Sequence, residues 1–291
     1  MDADKSSTNK RNGNSDFVEA LARGLDVIKS FGPTSMELTV SEVAAKTGLP
    51  RPTARRLLMT LEQLGYTRFT NGAYALTTKT LELGTACIAA QGIWDVARPH
   101  MLALVGKTGE SSSMSQLDGS DIVYTARAPV AKIIAISVHI GTRFPAPATS
   151  MGHVLLADLT TPQLDAALDT PSASAIIPRV VLSRAELDEV LAEVRERGWA
   201  QADELLSIGI RSIAAPVRDR SGRTAAAMNV TVHAAETSSE RLVGEYLPLL
   251  LEATAEVSTS WSNLAMLPTT SPRVTGQGVA SQRVTGPSRR S

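Results

Sequence analysis

Four arginines, Arg51, Arg55, Arg56 and Arg68, lie close together in a chain whose formal net charge is zero. A guanidinium carries a planar fork of donors that pairs bidentately with a guanine edge or clamps a phosphate. On a helix, at about 100° per residue, Ala54, Leu57, Leu58, Leu61 and Leu64 gather on one side and face a core. Arg55, Arg56, Met59 and Gln63 gather on the opposite side, Thr53 and Thr60 flank one edge, and Arg51 projects from the N-terminal end. Glu62 is the only acid between Arg51 and Tyr66, so the cations are not neutralised by their own helix. Threonine hydroxyls and the first amides of a helix also reach phosphate oxygens. Isolated arginines are common on solvated helix faces. What surrounds the cluster therefore decides between solvent and nucleic acid.

A second group of residues suits an acid. In "PAPATSMGHVLLADL" a proline-rich loop enters a helix at Thr149 or Ser150. The first amides of a helix lack intrahelical partners, and the dipole there is positive, so such an entrance holds anions. The alternative is that Thr149 or Ser150 only caps the helix. Further on, Asn229 and Thr231 share one face of a strand while Met228, Val230 and Val232 share the other. Ser212 and Ala214 likewise oppose Ile213, Ala215 and Val217. A half-polar sheet face either lines a site or simply faces water.

Nucleophilic and metal chemistry find little here. The single cysteine, Cys87, has no evident histidine partner, and no GxSxG elbow occurs. His100, His139, His153 and His233 are scattered, with no pair at metal-ligand spacing. His153 falls one turn into a helix without an acidic partner, which suits packing or surface. No catalytic residue, metal ligand or cofactor is therefore expected.

The elements around the arginines settle the first question. "FVEALARGLDVIKSFG" repeats Val18, Leu21, Leu25 and Ile28 at helical spacing and ends near Gly32. In "LTVSEVAAKTGL", Thr39 and Glu42 form a capping box, and Gly48 is placed to close the helix in a left-handed conformation. Pro50 and Pro52 fit only around the first turn of the next helix, the one with the arginines. Helix, tight turn and second helix make a helix-turn-helix. Asn71-Gly72 then predicts a hairpin joining 66–70 to 73–76, a wing. The arginines thus sit where a recognition helix enters the major groove.

Past the wing, "TTKTLELGTACIAAQG" predicts a linker helix with Leu81, Thr85 and Ile88 on one face. Helices are expected over 93–107, 150–158, 161–168, 183–197 and 239–262. Strands are expected at 111–117, 121–128, 132–138, 212–219 and 225–233, with turns at Asp118-Gly119 and over 219–222. Strands joined by short turns with helices beside them make an antiparallel α+β domain. The expected division is a disordered tail at 1–15, a winged helix-turn-helix at 16–77, a linker helix at 78–92 and a second domain at 93–267. A disordered tail follows at 268–291, with the near-repeat "RVTGQG" and "RVTGPS". Hydrophobic content of 43% and charged content of 20% suit packed cores. The first residues have no apolar signal-peptide region, no long apolar run suggests a membrane span, and one cysteine suits the cytoplasm.

Taken together, "ALARGLDVIKSFG", "TVSEVAAKTGLPRPTARRLLMTLEQLGY", "GTRFPAPATSMGHVLLADL" and "GIRSIAAPVRDRSGRTAAAMNVTVH" resemble an IclR-type transcriptional regulator from about residue 17 to 265. "PAPATSMGHVLLA" and "MNVTVHA" are similar to the subgroup controlling protocatechuate, 4-hydroxybenzoate and β-ketoadipate catabolism. The resemblance implies a winged helix-turn-helix, a linker helix and a GAF-like antiparallel-sheet domain that binds a small organic acid. It also implies homodimers, often pairs of dimers, on a palindromic double-stranded operator. In relatives the acid group meets amides matching Ser150 and Met151, polar groups match Ala202, Ser212, Asn229 and Thr231, and an apolar contact matches Ile210.

This chain departs from relatives that bind small α-keto acids. They often have an acid at the Ala202 position, cysteine at Ser212, serines at Asn229 and Thr231, and histidine at Pro147. The differences argue against glyoxylate or pyruvate and leave protocatechuate, 4-hydroxybenzoate or β-ketoadipate as the expected type. Two other readings stand beside this one. The second domain could be a small-acid-binding enzyme or hydrolase with an accessory winged helix, or the winged helix could serve protein contacts alone. Arg51, Arg55 and Arg56 speak against the last. The DNA contacts expected are Arg51, Thr53, Arg55, Arg56, Gln63 and Arg68. The effector contacts expected are Thr149, Ser150, Met151, Ala202, Ile210, Ser212, Asn229 and Thr231.

Overall fold

A computed structural model describes residues 16–32, 34–84, 93–130 and 138–264 of the chain. It divides into two compact units, 1–91 and 92–291.

In the first unit, α1 (Glu19–Lys29), α2 (Val40–Thr47) and α3 (Arg51–Gln63) pack around Val27, Val43, Ala54, Leu58 and Leu61. Thr39 caps α2: its Oγ1 accepts the Glu42 amide at 3.3 Å, while the Glu42 carboxylate accepts the Thr39 amide at 2.8 Å. Losing such a cap costs about 1 kcal/mol. Gly48 ends α2 at φ 67°, and Pro50 and Pro52 flank the start of α3. This is the helix-turn-helix. Strands β2 (Thr67–Thr70) and β3 (Ala73–Leu76) follow, joined by Asn71 at φ 52° and Gly72 at φ 86°. Both positive angles belong to a type I′ turn, which matches the natural twist of a hairpin.

Four features of this unit differ from expectation. A two-residue strand, β1 (Glu37–Leu38), adds a third, antiparallel member in the order β1-β3-β2. Two residues are too few to show alternation in a sequence. Leu64, expected in the core, is 54% exposed, because α3 stops at Gln63 and the backbone turns at Gly65, φ 83°. The stripe expected to bury α1 is also displaced. Val27 is buried and Ile28 partly so, while Val18, Leu21 and Leu25 face outward, Leu21 being 64% exposed. A 3₁₀ turn, Thr78–Leu81, begins the segment expected as a linker helix, with Leu81 and Leu83 exposed. The rest of that segment with Cys87, all but the last residue of the strand expected at 132–138, and both tails lie outside the described residues.

The second unit is built on one antiparallel sheet of β4 (Ser111–Asp118), β5 (Asp121–Ala128), β6 (Arg143–Pro145), β7 (Ala200–Asp203), β8 (Ile210–Arg218) and β9 (Thr224–His233). The order is β6-β5-β4-β9-β8-β7. Helix α4 (Ile93–Thr108) and the C-terminal helix cover one face, against Met114, Ile213, Ala215, Met228 and Val230. Helices α5 (Ser150–Ala157), α6 (Thr161–Leu168) and α7 (Arg184–Arg197) cover the other, against Ile122, Tyr124, Ala214 and Ala227. The period-two alternation in β8 and β9 therefore separates two cores. The architecture is α+β.

Strands β6 and β7 were not expected, being three and four residues at the sheet's edges. The helix expected over 239–262 is broken into α8 (Ser239–Arg241), a π-helical stretch Leu242–Tyr246 and α9 (Leu247–Leu264). Pro248 supplies the reason. It has no amide for the preceding turn and its ring crowds the carbonyl four residues back, so the ladder widens there.

Candidate functional site

Arg51, Arg55 and Arg56 come together on the outer side of α3 and line one concave surface. Its far wall is the wing, through Phe69 and Tyr74, and its near wall is the start of α2, through Thr39 and Ser41. Among the described residues, no ion pair engages Arg51, Arg55, Arg56 or Arg68. In the second unit, by contrast, Arg143, Arg184, Arg211 and Arg241 all pair with carboxylates. Glu62, the acid of α3, is committed elsewhere: its Oε1 accepts the Phe69 amide at 3.3 Å and ties the wing to the helix. Phe69 and Tyr74 pack as tilted rings with centroids 4.8 Å apart, which stiffens that wall. Gln63 and Arg68 are exposed but lie off the concave surface. Gln63 is about 18 Å along the helix from Arg51, at 1.5 Å per residue. Thr53 is half-buried and does not line it either.

In the second unit all eight residues expected at the effector site border one cavity of about 90 Å³. A single water needs only ~10–15 Å³, so the space suits a small organic molecule. Thr149, Ser150 and Met151 come from the start of α5, Ala202 from β7, Ile210 and Ser212 from β8, and Asn229 and Thr231 from β9. The α5 entrance is held close to the turn before it because position 152 is glycine. A Cβ there would collide with the backbone of Ala146.

Each polar group at this site has a definable role. The Thr149 hydroxyl caps α5, accepting the Gly152 amide at 3.0 Å. Its carbonyl accepts the His153 amide. The amides of Ser150 and Met151 are the ones the cap leaves over, at the positive end of the helix dipole. Ser150 and Ser212 share a hydrogen bond of 2.8 Å, which leaves one hydroxyl proton of the pair to give. Asn229 accepts the buried Ser113 amide at 3.0 Å and donates to Thr231 Oγ1 at 2.9 Å. Thr231 is thereby an acceptor toward Asn229, and its own proton points elsewhere. Donors dominate this end of the cavity, so it suits an acceptor-rich ligand such as a carboxylate.

Sequence reasoning missed Tyr124 and Arg127, which also line the cavity. Simple alternation puts residues three apart on opposite faces. Here the β4–β5 ladder shifts register, with Met114 opposite Ala126 and Ser115 opposite Tyr124, so Thr125 is an extra residue on β5. The bulge turns Tyr124 and Arg127 to the same face. Tyr124 is 7% exposed, and burial raises its pKa well above the usual phenol range, so its hydroxyl is a donor. Burial lowers the pKa of Arg127, with the neighbouring Tyr124 opposing.

His153, expected to pack or lie at the surface, is 1% exposed. Its Nε2 meets the Pro147 carbonyl at 2.7 Å and its Nδ1 has no partner. Burial lowers its pKa, so the ring is neutral and Nε2–H donates. Arg143 of β6 bonds Asp118 at the end of β4 at 2.7 Å and buried Asp121 at the start of β5 at 3.1 Å, a brace across the three strands. Among the described residues no group of three His, Cys, Asp or Glu is placed to hold a metal, and no helix is long and apolar enough to cross a membrane.

Comparison with known proteins separates the same two units. The IclR helix-turn-helix domain matches residues 20–70, and the domain described as bacterial transcriptional regulator IclR C-terminal matches residues 85–259. The Pca regulon regulatory protein of Pseudomonas putida is 35% identical over 84% of this chain and 84% of its own length. The p-hydroxybenzoate hydroxylase transcriptional activator of Acinetobacter baylyi is 29% identical, covering 83% of this chain and 91% of that one. A crystal structure from Rhodococcus sp. RHA1 is 42% identical, covers 85% of this chain and 100% of that one, and superposes with a TM-score of 0.73.

Proposed function

Because the chain belongs to the IclR family of bacterial transcriptional regulators, and is not an enzyme, we propose that it controls a catabolic operon for aromatic acids in response to a small organic acid. The names of its relatives in Pseudomonas putida and Acinetobacter baylyi support that choice of pathway. The effector is of the protocatechuate, 4-hydroxybenzoate or β-ketoadipate type. Its carboxylate sits on the Ser150 and Met151 amides, with Ser212 and Thr231 donating beside it and Asn229 orienting Thr231. Ala202 and Ile210 wall the space, and Thr149 fixes the helix entrance. The single observation that carries this is the convergence of eight residues from four elements on one donor-rich cavity.

Double-stranded operator DNA is the partner of the first unit. Arg51, Arg55 and Arg56 enter the major groove from the start of α3, with α2's first amides near a phosphate. Thr53, Gln63 and Arg68 contact the flanking backbone. One winged helix covers a short half-site, so a homodimer on a palindrome is the working unit in the cytoplasm, and pairs of dimers follow the same geometry. The outward apolar stripe of α1 and the segment 78–91 contribute to that dimer contact. Calorimetric titration of the three acids into the full chain tests the cavity. Binding by at least one, weakened in Ser212→Ala, supports it, and silence from all three rejects it.

A further inference from the structure

Resting on the acid-binding reading just given, the structure adds something about the far end of the cavity. Arg127 differs from the other half-buried arginines of its unit, Arg143 and Arg211. Arg98, Arg195 and Arg220 also lack a carboxylate partner among the described residues, but they are exposed to water. Arg143, Arg184, Arg211 and Arg241 each touch a carboxylate at about 3 Å or less. Among the described residues, no ion pair or side-chain hydrogen bond engages Arg127, although it is half-buried on a cavity wall. Glu110 lines the same cavity but is engaged by another group, and it does not figure among the charges acting on Arg127. A guanidinium withdrawn from water without a counter-charge is costly unless something else supplies one.

Its position relative to the α5 entrance gives the missing anion a place. Arg127 pairs with Ser113 on β4, Ser113 with Asn229 on β9, and Asn229 with Ala214 on β8. The α5 entrance is tied to β8 through Ser150 and Ser212. The two anion-seeking ends thus stand three strands apart, roughly 14 Å between backbones at the usual strand spacing. Arginine's long side chain reaches back across part of that gap. Tyr124 stands beside Arg127, fixed by an edge-on contact with Phe144 at 5.4 Å, and offers a neutral hydroxyl. A guanidinium and a phenol hydroxyl side by side make a seat for a carboxylate.

We propose that Arg127 and Tyr124 form a second anchor, which holds the distal carboxylate of a two-ended effector and makes the cavity selective for a dicarboxylate over a monocarboxylate. The near carboxylate rests on the α5 amides and the chain between them crosses Asn229 and Ser113. Without the bulge at Thr125 the two side chains would face opposite cores, so the bulge is what builds the anchor.

The test titrates β-ketoadipate, a diacid, and 4-hydroxybenzoate, a monoacid, into the full chain and its variants. In Arg127→Gln the diacid should bind ~10–100-fold more weakly while the monoacid stays within about threefold. Tyr124→Phe, which keeps the buried ring, should weaken the diacid by a smaller factor and leave the monoacid alone. Equal losses for both acids, or no loss of the diacid in either variant, overturn the anchor. Thr231→Val separates this from failure of the wider reading, since it acts at the near end and should weaken both acids. If neither acid binds the wild-type chain, the effector reading falls and the anchor falls with it.

Discussion

Asn229 Nδ2 donates to Thr231 Oγ1 at 2.9 Å, while its Oδ1 accepts the buried amide of Ser113 at 3.0 Å. Asn229 thus spends its oxygen and one amide proton inside the protein, and Thr231, an acceptor toward Asn229, keeps its own hydroxyl proton to give. The two residues should respond differently to truncation. Thr231→Val keeps the shape but removes both the hydroxyl proton and the acceptor of one Asn229 amide proton. Acid binding should therefore fall about tenfold. The loss of melting temperature should be smaller than in Asn229→Ala, whose second amide proton and oxygen are also lost. Asn229→Ala also orphans a buried amide, so it should lose ~1–3 kcal/mol of stability as well as affinity. Calorimetry paired with thermal denaturation distinguishes them, and a Thr231→Val chain that binds like wild type contradicts this division of roles.

The unpaired arginines of α3 predict a salt-dependent contact. Each phosphate-contacting arginine removed should lower the log–log salt slope of DNA binding by about one. An arginine on a base edge should instead cost about 1–3 kcal/mol and relax preference at one position. Fluorescence anisotropy of Arg55→Ala and Arg56→Ala across a salt series reads both. Unchanged affinity and slope in the double variant would mean that α3 does not face the groove.

The outward stripe of α1 predicts an assembly. Val18, Leu21 and Leu25 expose apolar surface that a second copy would cover. Sedimentation at micromolar concentration should give a dimer, and Leu21→Glu should shift it toward monomer. A wild-type chain that sediments as a monomer, alone and on operator DNA, refutes the dimer.

Buried, neutral His153 predicts a pH dependence. Its folded pKa lies below the ordinary 6.5, so the unfolded ring takes up a proton first as pH falls. The stability it contributes is complete above pH 6.5 and is lost as pH drops from there toward the lowered value. Arg197 nearby works in the same direction. The depressed carboxylates of Glu42 and Glu186 act only below their ordinary 4.5, so the windows separate. Melting temperatures between pH 7 and pH 5 should fall more for wild type than for His153→Gln, which can still donate to Pro147. Parallel curves would remove His153 from the account.

Much of this is written locally in the sequence. The helix-turn-helix was marked by Thr39, Glu42, Gly48, Pro50 and Asn71-Gly72, each of which acts within a few residues along the chain. At the donor end of the cavity, strand alternation and a helix entrance mark polar faces locally. It is the family resemblance, which alone supplies Ala202 and Ile210, that brings them to one site. Tyr124 and Arg127 were not legible, since a bulge depends on pairing with β4 rather than on β5 alone. The outward stripe of α1 escaped for a similar reason. Periodicity shows that a face is apolar but not whether its cover comes from the same chain.

On the proposed function, an acid in the cavity of the second unit changes how the first unit binds DNA. Fluorescence anisotropy reads the affinity of the full chain for a DNA fragment selected for binding to it, with and without each of the three acids. At least one acid should shift that affinity by about 5- to 150-fold, the usual range of coupling between sites. In Thr231→Val the basal affinity should stay at the wild-type value and the shift should shrink at the same acid concentration. A wild-type affinity indifferent to all three acids, or a Thr231→Val chain that responds as fully as wild type, contradicts this proposal.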